Sequence, residues 1–453
     1  MREPVVARVR HNCMKRTKLG VQLTIMAMVV AACGSAADSP ATTSQGPAIT
    51  NPPSASVPFT NGELIKLDVP RAPGDVDAAV LAAVVQGDTQ LALDLFGEVA
   101  GDTNLMFSPY SIATALSMLY PGARGATADE IATVLHLEVD DVDLHAARNA
   151  IEQALAAPPQ TFPEDDREPF AIRPANSAWG QGGFPFSQEY LEVLATSYGA
   201  GLRVVDFAGD PDDAQGVING WVEDATEDRI KDLIPDGSID LLTRLVLVNA
   251  IWFKANWAET FDPDRTVPGV FTRLDGSEVT TPLMHSTTIG QYATRPGFTA
   301  VRLPYAGDAA MVVVLPSSGT SPAELAAAMT AVDFLIDWST AQVDLTMPSF
   351  EFESEIALKE ALQSLGMTAA FTEAADLSGI TDATDLFVQD ALHKSFIALD
   401  EDGTEAAAAT AILMGLTSAP PPATFTADRP FLFWIEHSST GEVLFLGQVT
   451  DPS

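Results

Sequence analysis

The stretch Asp400–Pro422, DEDGTEAAAATAILMGLTSAPPP, constrains the fold of this 453-residue chain more than any other. Its composition is that of an exposed linker: acidic at one end, alanine-rich, interrupted by glycine and closed by three prolines. Yet it lies about 30 residues from the carboxyl end, between the apolar run Phe396–Leu399 and a last pair of apolar runs, where a linker separates nothing. It also alternates. Thr404, Ala406, Ala408, Thr410, Ile412 and Met414 fall on one side at a period of two, with Glu405, Ala407, Ala409 and Ala411 on the other. Successive side chains of a strand point to opposite faces, so this segment suits two states, an exposed loop and a strand in a crowded sheet.

The rest of the chain can bury a large core, with 47% apolar against 19% charged residues, which excludes wholesale disorder. At roughly 150 residues per domain the length allows about three domains, but no low-complexity break or internal repeat divides residues 76–453. A formal charge of −37, from 24 basic and 61 acidic side chains, argues against nucleic acid, which is held by clustered Lys and Arg. The same deficit argues against a polyanionic polysaccharide partner. Cys13 and Cys33 are the only cysteines, so a disulfide framework and a zinc–cysteine site are both excluded. The six histidines, at 11, 136, 145, 285, 393 and 437, are too scattered for metal-ligand spacing. Gly-x-Ser-x-Gly, Ser-x-x-Lys, Walker and His-Glu-x-x-His motifs are absent. No catalytic residue, metal or cofactor is therefore expected. A large core without catalytic machinery points to a binding or inhibitory protein.

The amino end is a processing signal. Lys15, Arg16 and Lys18 form a basic head before the largely apolar run Val21–Val30, which is too short for an ordinary transmembrane helix. The run ends in Val30-Ala31-Ala32-Cys33-Gly34, resembling a bacterial lipobox with Cys33 as the lipidated residue. Met14 directly precedes the basic head and is a second candidate start. Loss of residues 1–33 removes six basic groups and one acid, taking −37 to −42. So acidic a chain needs a covalent anchor to stay on an anionic membrane. Residues 34–75 begin as a Ser/Thr/Pro/Ala-rich tether, about 30 residues of which reach on the order of 30 Å. The expectation is a signal peptide over 1–33, a tether over 34–75, and one folded domain over 76–453, lipid-anchored outside the cytoplasm.

Within the domain, helices and strands mix without strict alternation, which favours α+β. Leu91, Leu95 and Phe96 share the face of an early helix, and Ser108-Pro109 caps another. Thr127 and Glu130 have the spacing of a capping box. Leu245–Phe253 is too continuously apolar for a half-exposed strand and is expected at a sheet centre, and Ala310–Leu315 is a second buried strand. Phe431–Ile435 and Val443–Val449 flank a glycine-bearing hairpin loop.

Four stretches identify a family: NLMFSPYSIATALSMLYPGARGATADEIATVL (104–135), LVLVNAIWFKANWAETFDP (245–263), LHKSFIALDEDGTEAAAATA (392–411) and ADRPFLFWIEHSSTGEVLFLGQVTDP (427–452), with Leu303-Pro304-Tyr305 and LGMTAAF (365–371) between them. Over Val76–Pro452 the chain resembles a serpin, the serine protease inhibitor family. The resemblance implies three β-sheets, about nine helices and an exposed reactive-centre loop. It implies a suicide-substrate inhibitor of elastase-like or subtilisin-like serine proteases, acting as a monomer. The alternative is a non-inhibitory serpin-like binding protein.

Carried over residue by residue, the resemblance makes Gly403, Thr404, Glu405, Ala406, Ala407, Ala408 and Ala409 the hinge of the loop. It puts the scissile bond at Thr417–Ser418, with Leu416–Thr417 as competitor because the far side of the loop is about two residues longer than usual. Ser108, Ser111, Asn249 and His393 match the polar cluster beneath the sheet that opens, and Trp257 the aromatic where insertion begins. For Ser108 a helix-cap role stands beside this one, and His393 reads equally as a hydrogen-bonded core histidine.

Overall fold

The computed structural model describes residues 59–157, 171–382, 386–404 and 420–453. Its main sheet has seven strands in the order β1 (Glu63–Ile65), β4 (Leu202–Val205), β3 (Ala171–Gln181), β5 (Leu245–Asn256), β13 (Gly403–Thr404), β12 (Asp390–Leu399) and β11 (Phe350–Ala357). A nine-stranded set runs β14 (Pro422–Thr426), β10 (Ser339–Pro348), β7 (Glu278–Arg295), β8 (Phe298–Pro304), β9 (Ala309–Pro316), β15 (Phe431–His437), β16 (Val443–Val449) and β2 (Leu105–Phe107), with β6 (Val267–Thr272) on β7. The 18-residue β7 joins two groups here: its first part pairs with β6 and β10, its last residues with β8. The three sheets implied by the resemblance are thus three strand groups, two of them continuous through one long strand.

Eight α-helices are described: α1 (Ala78–Val99), α2 (Pro109–Leu119), α3 (Gly125–Val134), α4 (Asp141–Leu155), α5 (Gln188–Ser197), α6 (Pro211–Ala225), α7 (Pro322–Ala328) and α8 (Leu358–Ser364). The apolar face expected from Leu91, Leu95 and Phe96 is the buried face of α1. Ser108 caps α2 by accepting from the Ser111 amide, with Pro109 in the first turn. The capping box expected of Thr127 and Glu130 does not form. Thr127 Oγ1 accepts instead from the Asp376 amide, and the Glu130 carboxylate from the amides of Thr368 and Ala369. Long-range partners have taken both side chains from the helix end.

Strand β5 shows why its run is so apolar: it is covered on both faces. Val246, Val248 and Ala250 pack with Ile218 and Val222 of α6. Leu245 and Leu247 face a core shared with α1 and α2, while Ile251, Phe253 and Ala255 meet Met311, Val313 and Phe433 of the nine-stranded set. Ahead of Val76, Glu63–Ile65 adds an edge strand to β4, and Arg71 reaches Asn149 and Glu152 of α4.

Candidate functional site

The central seam of the main sheet lies between β5 and β12. These strands are parallel neighbours over Val246–Ile251 and Asp390–Ser395. Near its end the order changes. Gly403 and Thr404 stand between them as β13, antiparallel to both, with Gly403 opposite Asn256, and Thr404 opposite Ala255 and Leu399. The chain thus starts a new central strand two residues long at one end of a seam that is closed lower down.

Under the closed part sits a buried polar cluster on the inner face. Asn249 and His393 are register partners across the seam, and Asn176 of β3 is the partner of Asn249 on its other side. The helix α2 begins directly beneath. The Ser108 amide donates to His393 Nε2 at 3.0 Å. A ring nitrogen that accepts cannot carry the proton, so Nδ1 carries it and donates to Asn249 Oδ1. Asn249 Nδ2 donates to Asn176 Oδ1 at 3.2 Å, which also accepts from Ser111 Oγ at 2.5 Å. Burial pushes the His393 pKa down to about 3; the positive end of α2 acts in the same direction. The imidazole is neutral at any ordinary pH. Two further hydroxyls stitch β2 to the sheet: Ser354 Oγ accepts from the Met106 amide, and Ser395 Oγ donates to the Met106 carbonyl, both at 2.8 Å.

The open end is built around Trp257. Its indole Nε1 donates to the Asp400 carbonyl at 3.0 Å, its amide to the Asp402 carbonyl at 2.8 Å, and the Phe261 amide to the Glu401 carbonyl at 2.9 Å. Asp400 closes the turn from within, accepting at Oδ1 from the amides of Asp402 and Gly403. Burial raises the pKa of its carboxyl. Trp257 stacks on Tyr305 at 4.4 Å between ring centres, and the Tyr305 hydroxyl bonds Thr404 Oγ1 at 2.9 Å. Thr404 is only 1% exposed. At Gly403 φ is +152°, and a Cβ would come within 2.2 Å of the Ala255 carbonyl oxygen; only glycine fits there.

The structure therefore brings Ser108, Ser111, Asn249 and His393 into one cluster, and Trp257, Gly403 and Thr404 into another. Glu405, Ala406, Ala407, Ala408, Ala409, Leu416, Thr417, Ser418 and Cys33 lie outside the described residues. Sequence reasoning missed Asn176, Asp400 and Tyr305. Asn176 stands out only once β3 is set in register against β5. Tyr305 was within a matched tripeptide, but its partner Thr404 is 99 positions away. Among the described residues no group of three or more His, Cys, Asp or Glu side chains is placed to hold a metal.

The family model described as serpin (serine protease inhibitor) matches residues 86–452. An uncharacterized serpin-like protein of Thermococcus kodakarensis is 38% identical over 378 residues, covering 82% of this chain and 86% of its own. The leukocyte elastase inhibitor of Bos taurus is 34% identical over 383 residues, covering 81% and 98%. Among solved structures, the thermophilic serpin tengpin in its native state superposes with a TM-score of 0.76 at 26% identity, covering 86% of this chain and 100% of that one.

Proposed function

Because this chain belongs to the serpin family, we propose that it is a suicide-substrate inhibitor of serine proteases of the elastase-like or subtilisin-like kind. The observation that carries this reading is β13, a two-residue strand already seated between β5 and β12 and continuous with the alternating segment that follows it. Small side chains over Ala406–Ala409 suit extension of that strand down the seam.

In this reading the protease serine Oγ attacks the carbonyl carbon of Thr417. The bond to Ser418 breaks, the Ser418 amine leaves with a proton from the protease histidine, and Thr417 remains esterified to the enzyme. The freed segment then zips between β5 and β12. About fifteen residues at roughly 3.3 Å each carry the acylated protease on the order of 50 Å. One parallel pairing is exchanged for two antiparallel ones, which are slightly more stable per residue. Insertion must outrun hydrolysis of the ester, so the uncleaved fold is held by kinetics.

The charge of −37 and the scarcity of basic residues support action without a polyanionic cofactor. The apolar run before Cys33 supports export and lipid attachment outside the cytoplasm, with the domain held off a membrane. The test is incubation with subtilisin and with elastase, followed by denaturing electrophoresis. A covalent complex that survives SDS is expected. Clean turnover with both enzymes would instead favour a serpin-like binding protein.

A further inference from the structure

A cavity of about 290 Å³ opens beside the hinge turn, between Trp257 and Phe261 on one side and strands β7, β8 and β10 on the other. One lining residue leaves part of its wall bare. Ser286, Thr288 and Gly290 share a face of β7, and Gly290 leaves that face without a side chain. Only Thr288 Cγ2, at 3.8 Å, lies within 4 Å of a Cβ built there, and the backbone is outside the left-handed region. Neither conformation nor crowding requires glycine at this point, although glycine weakens a strand interior.

The lining specifies a ligand chemistry. Trp257, Phe261 and Leu303 supply aromatic and apolar walls. Two charged groups reach the cavity, and both are engaged. Glu259 accepts from the Thr288 hydroxyl, and Arg302 is matched to Glu436 at 2.7 Å and donates to Ser438 at 2.8 Å. No unmatched cation is left to hold an anion, in a protein whose net charge already repels anions. The volume is near the lower end of small-molecule sites, roughly 300–1,000 Å³. We infer that this cavity binds neutral aromatic molecules of about two rings, with hydroxyl or amine groups that meet Ser286 and Gln291.

The position of the cavity gives such a ligand a second effect. Trp257 and Phe261 hold the turn Asp400–Asp402 on the near side of the loop. On the far side, β10 carries both Leu345 of the cavity wall and β14, where Leu345 is the partner of Phe425. The cavity thus touches the supports of both ends of the loop, and an occupant braces them together. A ligand shifts a conformational equilibrium by its differential affinity for the two states. Occupancy therefore opposes the separation of the two loop ends that follows cleavage. This second effect rests on the inhibitor reading; binding itself does not.

The test uses N-phenyl-1-naphthylamine, a neutral amine that joins two aromatic ring systems, a phenyl and a naphthyl, titrated into the folded protein. Saturable one-to-one fluorescence enhancement with quenching of tryptophan emission is expected. Gly290→Leu puts a side chain into part of the cavity and should weaken binding by about tenfold or more, with thermal midpoint and circular dichroism close to wild type. Thr340→Phe, at the exposed rim, provides an independent block should the leucine variant fail to fold. Undiminished binding in whichever variant is folded would overturn the site. With subtilisin, saturating probe should lower the yield of SDS-stable complex in wild type and not in Gly290→Leu. An unchanged yield in wild type would overturn the coupling to the loop. If no complex forms with either protease, the inhibitor reading fails, while probe binding lost in both variants still supports the site.

Discussion

Glu442 offers the sharpest test of the buried electrostatics. It lies in the turn between β15 and β16 and is fully buried, and its carboxyl oxygens have no hydrogen-bond partner while it is ionised. Facing it are Asp88 of α1, Arg148 of α4 and Tyr110 of α2. Arg148 is committed elsewhere: its two terminal nitrogens fork onto Asp88, with Nη2 to Oδ1 at 2.6 Å, and Nε donates to Ser117 Oγ at 3.0 Å. One guanidinium cannot neutralise two carboxylates. Burial first, and the Asp88 charge second, hold the proton affinity of Glu442 well above the usual 4.5, against a smaller lowering effect of Arg148. Protonated, Glu442 has a hydrogen to give Asp88. The native state then binds more protons than the unfolded chain at every pH between 4.5 and the raised native value. Stability on this account is complete below about pH 4.5 and is lost by about 1.4 kcal/mol per pH unit as pH rises toward that value. Glu442→Gln keeps a donor toward Asp88 and abolishes the linkage. With an unfolding entropy of roughly 2.1 cal/mol/K per residue, 1.4 kcal/mol corresponds to about 2 °C for a domain of this size. Thermal scans of both proteins at one fixed rate, upward from pH 4.5, should show the variant gaining about 2 °C per pH unit over wild type until the raised native value is reached. Tyr110 stays protonated throughout because burial raises its pKa. Parallel pH profiles would refute the reasoning.

His393→Phe orphans the Ser108 amide and the Asn249 carbonyl, at about 1–3 kcal/mol each, so the thermal midpoint should fall while the pH profile above about pH 5 keeps its shape. Gly403→Ala drives a methyl into the Ala255 carbonyl and should lower the melting temperature while displacing the hinge turn, seen as a changed Trp257 environment in near-ultraviolet circular dichroism. Thr404→Arg buries a charge beside Tyr305 at a cost of several kcal/mol, roughly; the protease should then cleave it as a substrate, and an unaltered stoichiometry of inhibition would contradict insertion. Cys33→Ser should abolish partitioning into a detergent phase, and equal partitioning of wild type and variant would exclude lipid attachment.

How much of this was legible in the sequence depended on range. Leu245–Phe253 announced a doubly covered strand because burial on two faces leaves a continuous apolar run, and β5 is such a strand. Ser108-Pro109 announced the start of α2 because a cap and its proline are adjacent in sequence. Thr127 and Glu130 satisfied the same kind of local rule and broke it, since Asp376 and Thr368, about 240 residues on, compete for both side chains. Ser108, Ser111, Asn249 and His393 could be named together only through a family resemblance. Period-two alternation puts Asn249 on a face but says nothing of its neighbour across the seam. Asn176 and Glu442 gave no signal of their own, because a buried polar residue is recognised by its partners, and those partners are set by sheet register and helix packing.

In the proposed insertion mechanism the two clusters would divide the labour of an opening sheet. A strand that grows from β13 must pass between His393 and Asn249, because their side chains meet across the pairing it replaces. The bond between them is the one link in the cluster that crosses the seam. His393 keeps the Ser108 amide on one side, and Asn176, bound to Asn249 on the other, keeps Ser111 Oγ. The first turn of α2 thus holds a donor for each bank. Parting the strands costs one neutral hydrogen bond there and strands no charge, because His393 is unprotonated. A charged pair at this place would have locked the seam, since separating buried ions leaves each uncompensated. A wholly apolar contact would have left nothing to align β5, β12 and the helix beneath them before the loop is cut. A neutral, buried, divisible cluster would meet both demands of that proposal: it fixes the closed register and would yield at the cost of a single bond.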